Sequence, residues 1–326
     1  MLTYKESGVD IDKAEKIVGQ IKSLWPGIGL FGGQFELGPH IVGMKNPILI
    51  SSMDGVGTKS KIASGLNDYT VIGQDIVNHC VNDIIVHGAK PLFFMDYVAS
   101  SNLEPKMVDM VLLNIATACR ENDLLVVGGE TAEMPGIYKD QEFDLVGAIV
   151  GVVDKDEMID GSRIEEGHVL IGLGSIGVHT NGFSLINKIL KEDKLDSDFM
   201  PQLCPYTLYD MHKSYYKEYS ILKKKNIDIK GMAHITGGGI EGNLSRIIPD
   251  GLTAIVEKGS WPAKPIFQRI QECGISEEEM YQVFNMGIGM ILVVDKKDVR
   301  SVFENIEKSF LIGAVEKGEQ EKVILQ

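Results

Sequence analysis

Cysteine is scarce in this chain, and its distribution narrows the class of protein. The 326 residues contain four cysteines, at Cys80, Cys119, Cys204 and Cys273, and none of them forms a C-x-x-C pair. This usage fits a reduced, cytosolic protein best. Cys80 and Cys119 fall on the apolar faces of predicted helices, so we expect both to be ordinary core residues.

Positive charge and long apolar runs are also lacking. The chain has 32 basic and 46 acidic residues, for a net charge of −14, which argues against nucleic acid or an anionic membrane surface as its main partner. Any bound anion must therefore be met locally, by backbone amides, a few lysines or a metal ion. No apolar run approaches the ~18 residues of a membrane span, and the first residues lack the apolar core of a signal peptide. We expect a cytoplasmic protein.

Strand-like runs alternate with helical periodicity along the chain, which predicts an α/β protein. With 44% hydrophobic residues, the chain can bury two cores. The polar segment 154–167 is the best boundary, so we expect domains at 1–165 and 166–326. The adjacent runs 124–128 and 143–153 suggest antiparallel pairing. The predicted strands are 46–52, 91–99, 124–128, 143–153, 168–174, 252–257, 288–295 and 310–315.

The sequence MDGVGTK at 53–59 follows an apolar run, NPILISS, that predicts a buried strand. Gly55 and Gly57 allow close approach of the backbone to a ligand, while Thr58 and Lys59 offer a hydroxyl and a positive charge to an anion. The segment is not a P-loop, because G-x-x-x-x-G-K-[ST] needs a longer glycine spacing. A polar turn without a ligand is the alternative.

Residues 72–91 predict a helix with a polar face. That face has no lysine or arginine, and acids without counter-charges repel one another unless a cation lies among them. A solvated polar surface is the alternative interpretation. At about 100° per residue, the polar arc contains Asp75, Asn78, His79, Asn82 and Asp83.

Four acids occupy positions at which an unpaired carboxylate is costly: Asp54, Asp83, Asp96 and Glu130. An acid inside or directly after an apolar strand usually has a partner, because desolvating its charge is unfavourable. Mg²⁺, held by carboxylates, water and nucleotide phosphates, is a suitable shared partner. The sequence therefore predicts a metal site at these acids. After Gly129, Glu130 and Glu133 are expected in a loop, either shaped for a ligand or simply solvated.

A second polar set lies in the C-terminal half. The sequence at 169–190 predicts a strand, a glycine-rich loop and an amphipathic helix. His179, Thr180 and Asn181 lie at the start of that helix, where free amides and the positive dipole end favour an anion. Residues 237–239, all glycine, precede a short helix in the same way, so two sites could bind a phosphorylated substrate. Asn181 as a helix N-cap and His179 as a loop histidine are the alternatives.

Taken together, these motifs resemble the phosphoribosylformylglycinamidine cyclo-ligases, also called aminoimidazole ribonucleotide synthetases. The similarity runs nearly end to end, and the D-x4-G-A-x-P element from Asp83 to Pro91 looks like the signature of the wider superfamily. The matching motifs are YKESGVDID at 4–12, DGVGTK at 54–59, NDIIVHGAKPLFF at 82–94, GGETAEMPG at 128–136, HTNGFSL at 179–185, HITGGG at 234–239 and FNMGIGM at 284–290.

The resemblance implies an ATP-dependent ring closure in purine biosynthesis. Formylglycinamidine ribonucleotide and ATP would give 5-aminoimidazole ribonucleotide, ADP and phosphate, with ATP and Mg²⁺ as cofactors. It also implies an N-terminal α/β domain whose strands join those of a second subunit in a β-barrel, followed by a C-terminal α/β domain. A homodimer without a nucleic-acid or membrane partner is therefore expected.

The resemblance further implies roles for single residues, with His179, Asp83 and Lys59 as catalytic groups. Family members often carry a basic stretch before the N-terminal glycine-rich loop, whereas this chain keeps only Lys22 ahead of Gly27 and Gly29. The residues implied around Mg²⁺ and ATP are Gly32, Gly33, Asp54, Gly55, Gly57, Thr58, Lys59, Asp83, Asp96 and Glu130, of which Asp54, Asp83, Asp96 and Glu130 would bind metal. Those implied at the substrate are Thr131, Glu133, His179, Thr180 and Asn181.

Other members of the superfamily fit less well. A selenophosphate synthetase would need a cysteine in its N-terminal glycine-rich loop, and residues 1–79 contain none. A hydrogenase-maturation relative would need a C-terminal cysteine, a thiamine-phosphate kinase is not supported by HITGGG and FNMGIGM, and the amidotransferase-linked synthetase needs a longer chain. A different small-molecule kinase of the superfamily, or an ATP-sensing dimer without catalysis, stays as the alternative function.

Overall fold

The computed structural model describes residue 19 and residues 32–192 and 208–326, and the chain divides into two compact units. The N-terminal unit runs to Ile84 and includes Lys90–Lys155, while the C-terminal unit consists of Ile85–Ala89 and Asp156–Gln326. Both units combine helices with a sheet, which confirms the predicted α/β class. Within the described residues, every helix is too short or too polar to span a bilayer.

The N-terminal unit is built on a four-stranded sheet. Its strands are β1 (Pro47–Gly55), β2 (Lys90–Ser100), β3 (Leu125–Glu133) and β4 (Phe143–Asp154), and its helices are α1 (Lys59–Leu66), α2 (Ile72–Ile85) and α3 (Pro105–Glu121). The spatial order is β1-β4-β2-β3, with β4 antiparallel to both neighbours and β3 parallel to β2. The expected pairing of β3 with β4 is wrong, because α3 carries the chain across the sheet and returns it as a parallel strand beside β2.

One face of this sheet is covered by helices, and the other is exposed in the single chain. A Cβ atom at Gly147 of β4 would lie 2.8 Å from Cγ1 of Ile76 on α2, so helix and sheet are in close contact. On the opposite face, Leu49, Met53 and Met95 are 56%, 72% and 38% exposed. The prediction of a buried strand before the glycine-rich turn is wrong, since β1 is an edge strand with one face open.

The C-terminal unit contains a six-stranded sheet in the order β10-β7-β9-β5-β8-β6, antiparallel except for β10 and β7. All eight predicted strands of the chain are confirmed, whereas β6 and β10 were missed because four and three residues are too few for a pattern. The strands are β5 (Val169–Gly174), β6 (Gly231–His234), β7 (Leu252–Val256), β8 (Ile288–Val294), β9 (Ser309–Lys317) and β10 (Val323–Leu325). The helices are α4 (Phe183–Lys191), α5 (Tyr216–Lys224), α6 (Gly239–Leu244), α7 (Pro265–Glu272), α8 (Glu277–Val283) and α9 (Val299–Asn305).

The topology of this sheet brings three loops to one edge. Strand β8 lies between β5 and β6 and is antiparallel to both, so its beginning lies beside their ends. The loop after β5 carries residues 175–182, the loop after β6 carries residues 235–238, and residues 285–287 lead into β8. These segments include the motifs HTNG, HITGGG and FNMG, which the sequence separates by about 50 residues each.

Candidate functional site

In the N-terminal unit, Asp54 and Asp83 meet at the imidazole of His79. The Nε2 atom of His79 lies 2.9 Å from Oδ2 of Asp54 and 3.8 Å from Oδ2 of Asp83. Ser52 donates its hydroxyl hydrogen to the same Asp83 oxygen at 3.0 Å. The amide of Gly55 donates to Oδ1 of Asp54 at 2.6 Å. The sequence predicted Asp54 directly after the strand, but the structure places it inside β1.

The electrostatics of this cluster favour a cation. Burial lowers the pKa of His79, but its hydrogen bond with Asp54 and the charges of the surrounding acids outweigh burial and raise the pKa above its ordinary value. For Asp54, burial is the largest effect and raises the pKa, but the hydrogen bond with His79, the charge of His79 and the hydrogen bond from the Gly55 amide together lower the pKa below its ordinary value. Two carboxylates therefore favour a positive charge at this position, and oxygen ligands of this type are those that Mg²⁺ prefers.

The other two predicted metal ligands lie elsewhere on the same sheet. Asp54 of β1 and Asp96 of β2 both pair with Gly147 of β4, which lies between the two strands. Their side chains therefore lie on the same face of the sheet, two strand spacings or roughly 10 Å apart. Glu130 pairs with Tyr97, the residue after Asp96, and therefore lies on the opposite face. Burial raises the pKa of Asp96 to about 7. Within this unit, the structure does not bring the four acids into one cluster.

The loop predicted after Gly129 is a strand. Strand β3 continues to Glu133, paired in parallel with β2 as far as Ser100, so the loop prediction is wrong. A Cβ atom at Gly129 would lie 2.6 Å from Oδ1 of Asp96, which explains why glycine occupies this position in the ladder. Glu133, predicted at the substrate, accepts the amide hydrogen of Leu103 at 3.0 Å. Thr131, also predicted there, is half-buried within β3.

Lys59 is buried and forms an ion pair with Asp75 of α2. Its Nζ atom lies 2.8 Å from Oδ2 of Asp75, and both side chains are fully buried. The polar face of α2 is therefore not a solvated surface, and its counter-charge comes from α1. Asn78 on the same face accepts a hydrogen bond from Nδ2 of Asn122 at 3.0 Å. The predicted helix to residue 91 ends at Ile85, ahead of β2.

The remaining residues predicted near nucleotide belong to two glycine-rich segments. Gly57 has φ +57° and Thr58 precedes α1, so the chain leaves β1 and enters the helix within three residues. A Cβ atom at Gly33 would collide with the carbonyl of Val127, whereas Gly32 is exposed. The predictions at residues 4–12, Lys22, Gly27, Gly29 and Cys204 lie outside the described residues.

In the C-terminal unit, His179 and Thr180 belong to a buried cluster with two further histidines. The rings of His179 and His212 stack, with centroids 4.2 Å apart. Nδ1 of His212 lies 3.0 Å from Oγ1 of Thr180, and its Nε2 lies 3.0 Å from Nε2 of His234. Sequence analysis missed both partners. His234 begins the motif HITGGG, which was a usable signal, but His212 lies outside every motif.

The backbone and a glycine fix this cluster. His179 has φ +67°, and its Nε2 accepts the amide hydrogen of Ile176 at 3.4 Å. A Cβ atom at Gly289 would lie 2.7 Å from Cε1 of His179 and would collide with the hydroxyl of Tyr215. The N-cap of α4 is Gly182, without a side-chain cap, so the interpretation of Asn181 as the N-cap is wrong.

A buried asparagine holds the loop that leads to His179. Asn285 accepts from the hydroxyl of Ser175 at 3.1 Å and from the amide of Gly287 at 2.8 Å. Its Nδ2 donates to the carbonyls of Gly177 at 3.0 Å and Val178 at 3.2 Å. All four hydrogen-bonding positions of the amide are used, so the motif FNMG acts by fixing the neighbouring loop.

Asn243 holds the loop after β6 in the same way, through side-chain hydrogen bonds to the backbone. Its Nδ2 donates to the carbonyl of Gly239 at 2.7 Å and also faces the carbonyls of Thr236 and Gly237, each at 3.3 Å. The hydroxyl of Thr236 donates to Oδ1 of Asn243 at 3.3 Å. The glycine-rich loop after His234 is therefore held from inside the unit. Asn243 was not predicted.

Comparison with known proteins agrees with the motifs. The family models "AIR synthase related protein, N-terminal domain" and "AIR synthase related protein, C-terminal domain" match residues 41–153 and 165–326. Phosphoribosylformylglycinamidine cyclo-ligase of Clostridium botulinum is 43% identical over 333 residues, covering 98% of each chain. The protein of that name from Thermodesulfovibrio yellowstonii is 45% identical, covering 100% of this chain and 99% of the relative.

Among solved structures, hydrogenase maturation protein HypE in complex with ATP superposes with a TM-score of 0.71. It is 17% identical and covers 97% of this chain and 91% of that chain, which shows a shared fold. The predicted two-domain synthetase fold is thereby confirmed. As the motifs predicted, this chain belongs to the phosphoribosylformylglycinamidine cyclo-ligase family of AIR synthase related proteins.

Proposed function

We propose that this chain catalyses the ATP-dependent cyclisation of formylglycinamidine ribonucleotide to 5-aminoimidazole ribonucleotide. The observation that carries this proposal is the identity of 43% to a cyclo-ligase across 98% of both chains. Use of ATP is supported by the relative of similar fold that was solved with ATP. We further propose that the protein is a cytoplasmic enzyme of purine biosynthesis.

The reaction needs positioning and charge neutralisation more than a covalent nucleophile. An amide oxygen is a poor leaving group, so ATP would phosphorylate it and give an iminophosphate. The amidine nitrogen of the same substrate then attacks that carbon, loses a proton, and phosphate departs with the oxygen. Holding two ends of one substrate together supplies much of the rate acceleration, and fixed dipoles and charges stabilise the phosphoryl group.

We propose Asp54 and Asp83 as the Mg²⁺ ligands of a subunit. The raised pKa of His79 between them supports this assignment, since the acids already stabilise a positive charge there. When bound, the ion would neutralise charge on the phosphates of ATP. Asp96 and Glu130 lie apart from this pair and are not included. For the phosphates, we propose the backbone of the 55–58 turn as the ligand.

Lys59 has a supporting role in this proposal. Its ammonium group is buried against Asp75, so it stabilises the start of α1 and does not contact phosphate. His179, Thr180 and Asn181 would face the substrate. Because Nε2 of His179 accepts from the Ile176 amide, its neutral ring would carry hydrogen on Nδ1, and we propose that this hydrogen is donated to the substrate.

We also propose a homodimer formed through the open face of the N-terminal sheet. Leu49, Met53 and Met95 form an apolar face of the kind that marks a protein interface. Strands of a second subunit that close a barrel would cover it. Light scattering should give twice the mass of 35.8 kDa, and Met53→Glu should shift the protein toward monomer.

The deciding experiment follows ADP and aminoimidazole ribonucleotide together, with purified protein, formylglycinamidine ribonucleotide, ATP and Mg²⁺. Equal amounts of both products support the cyclo-ligase. ADP alone indicates another phosphoryl acceptor, and ATP binding without turnover indicates the sensing dimer. Asp83→Asn should abolish turnover, whereas Asp250→Asn, at a side chain that is 97% exposed, should not. Turnover that survives in Asp83→Asn with only weaker ATP affinity contradicts the metal assignment.

A further inference from the structure

Thr180, His212 and His234 form a continuous hydrogen-bonded chain inside the C-terminal unit. The two links, from Oγ1 of Thr180 to Nδ1 of His212 and from Nε2 of His212 to Nε2 of His234, are both 3.0 Å long. The three side chains are at most 7% exposed. His212 uses both ring nitrogens in the chain, and the stacked ring of His179 fixes the plane of its imidazole. The chain starts at the loop proposed to face the substrate.

Hydrogen counting gives this chain two arrangements. Only one hydrogen fits between the two Nε2 atoms. If His212 carries it, neutral His212 has a lone pair on Nδ1 and accepts the hydroxyl hydrogen of Thr180. If His234 carries it, neutral His212 has its hydrogen on Nδ1 and donates to Thr180, whose own hydrogen must point elsewhere. The tautomer of His212 thus decides whether Thr180 donates or accepts outside the chain.

We propose that Thr180, His212 and His234 form a proton relay for ring closure, an inference that rests on the proposed function. In the starting arrangement, His212 carries its hydrogen on Nε2 and His234 carries its own on Nδ1. As the amidine nitrogen attacks, its N–H bond breaks and an O–H bond forms at Thr180. The previous hydroxyl hydrogen of Thr180 moves to Nδ1 of His212, and the hydrogen on Nε2 of His212 moves to Nε2 of His234.

The protons balance in this scheme. The substrate loses one proton, His234 gains one and becomes an imidazolium, Thr180 is unchanged, and His212 changes tautomer. Thr180 is the catalytic residue, because its oxygen takes the proton from the reacting nitrogen. His212 and His234 are positioning residues, which act through Thr180. The ring of His179 stacks on that of His212 and holds it in place, so it complements the relay without belonging to it.

Matched variants separate a relay from a structural role. Thr180→Ser keeps the hydroxyl and should keep kcat within a few-fold, whereas Thr180→Val should lower kcat by about 100-fold or more with little change in KM. His212→Asn keeps an amide near Nδ1 and His212→Gln keeps one near Nε2, but an amide does not exchange tautomers, so both should lower kcat similarly. His87→Gln, at an exposed histidine, is the control and should be neutral.

Combining two breaks in the chain gives the sharper result. If the relay operates, Thr180→Val with His212→Gln should have the kcat of Thr180→Val alone, because a broken relay loses nothing more at a second point. Two penalties that multiply, or a Thr180→Val enzyme with the kcat of the parent, would overturn the relay. Thermal melts of Thr180→Ser and Thr180→Val establish that the compared proteins are folded.

A spectroscopic measurement tests the hydrogen-bonded chain independently of enzyme activity. In protein labelled with ¹⁵N-histidine, imidazole nitrogens with and without hydrogen have distinct shifts, and His212→Gln and His234→Gln assign the signals. We expect one hydrogen shared by the Nε2 atoms of His212 and His234, and spectra without hydrogen on either atom overturn the relay. If the parent protein forms no aminoimidazole ribonucleotide, the proposed function fails and the relay's catalytic role with it. If it does but Thr180→Val is fully active, only the relay fails.

Discussion

Replacing Asn285 should loosen the loop before His179 more than any exposed asparagine would. The side chain is 3% exposed and makes four hydrogen bonds, to Ser175, Gly177, Val178 and Gly287. At about 1 kcal/mol net for each bond, Asn285→Ala should lower the free energy of unfolding by about 4 kcal/mol. The carbonyls and the amide left without partners are in the interior, where unsatisfied polar groups are costly.

The isosteric variant Asn285→Asp tests the direction in which stability changes with pH. It keeps both acceptor contacts but turns a carboxylate oxygen toward two carbonyls that lie 3.0 and 3.2 Å from Nδ2. Repulsion raises the pKa of this carboxyl in the folded protein above its unfolded value of about 3.9. The unfolded chain then releases its proton first as pH rises, so the stability of the variant should fall between about pH 4 and the raised pKa. Lowering the pH should restore stability relative to the parent, because a protonated carboxyl donates one of the lost bonds.

Urea unfolding measured by tryptophan fluorescence is a suitable assay. Trp261 donates its indole hydrogen to the carbonyl of Met286 at 2.9 Å, directly beside the substitution. The control is Asn305→Ala, which removes one bond, from Nδ2 to the carbonyl of Ser301 at 2.8 Å, and should cost about 1 kcal/mol. Equal losses for Asn285→Ala and Asn305→Ala, or a pH-independent Asn285→Asp, would refute the reasoning.

Three further variants test other contacts. Burial raises the pKa of Asp96 from 3.8 to about 7, so the contribution of Asp96 to the free energy of unfolding falls as pH rises from 4 to 7. Relative to the parent, Asp96→Asn should therefore raise the free energy of unfolding by up to about 4 kcal/mol at pH 8 and by little at pH 4, as measured by urea unfolding in EDTA. Lys59→Met leaves Asp75 buried without its ion pair and should lower the free energy of unfolding by about 3–5 kcal/mol. The double variant with Asp75→Leu should restore most of this loss in thermal melts, and equal melting temperatures of the single and double variants would contradict this. Gly182→Ala places a Cβ at φ +83° in collision with Phe284, so this variant should melt at a lower temperature than the parent. A melting temperature equal to the parent's would show that the loop has another conformation.

Much of the fold could be predicted because its signals are local. The apolar runs of eight strands lie in contiguous sequence, as do the glycine-rich segments between strand and helix. The motif GGETAE was misassigned for a related reason. Its polar residues do not alternate with apolar ones, and the ladder with β2 that makes it a strand is supplied by a segment about 30 residues earlier.

The candidate site was harder to predict, because contacts between distant segments define it. The sequence indicated that Asp54 and Asp83 belong together, and the structure joins them through His79. It could not show that Glu130 lies on the other face of the sheet, since that depends on the register of β3 against β2. Nor did any local pattern reveal that Asp75 has a counter-charge, because Lys59 belongs to another helix.

The sequence by itself determined the family, the α/β class and the residue types that the proposed chemistry needs, because motifs and periodicity are carried by neighbouring residues. Only the tertiary structure decided which of those residues meet. His212 shows the difference most clearly. It lies 32 residues from Thr180 and 22 from His234, and it joins them only because packing in the C-terminal unit brings its ring between these two side chains.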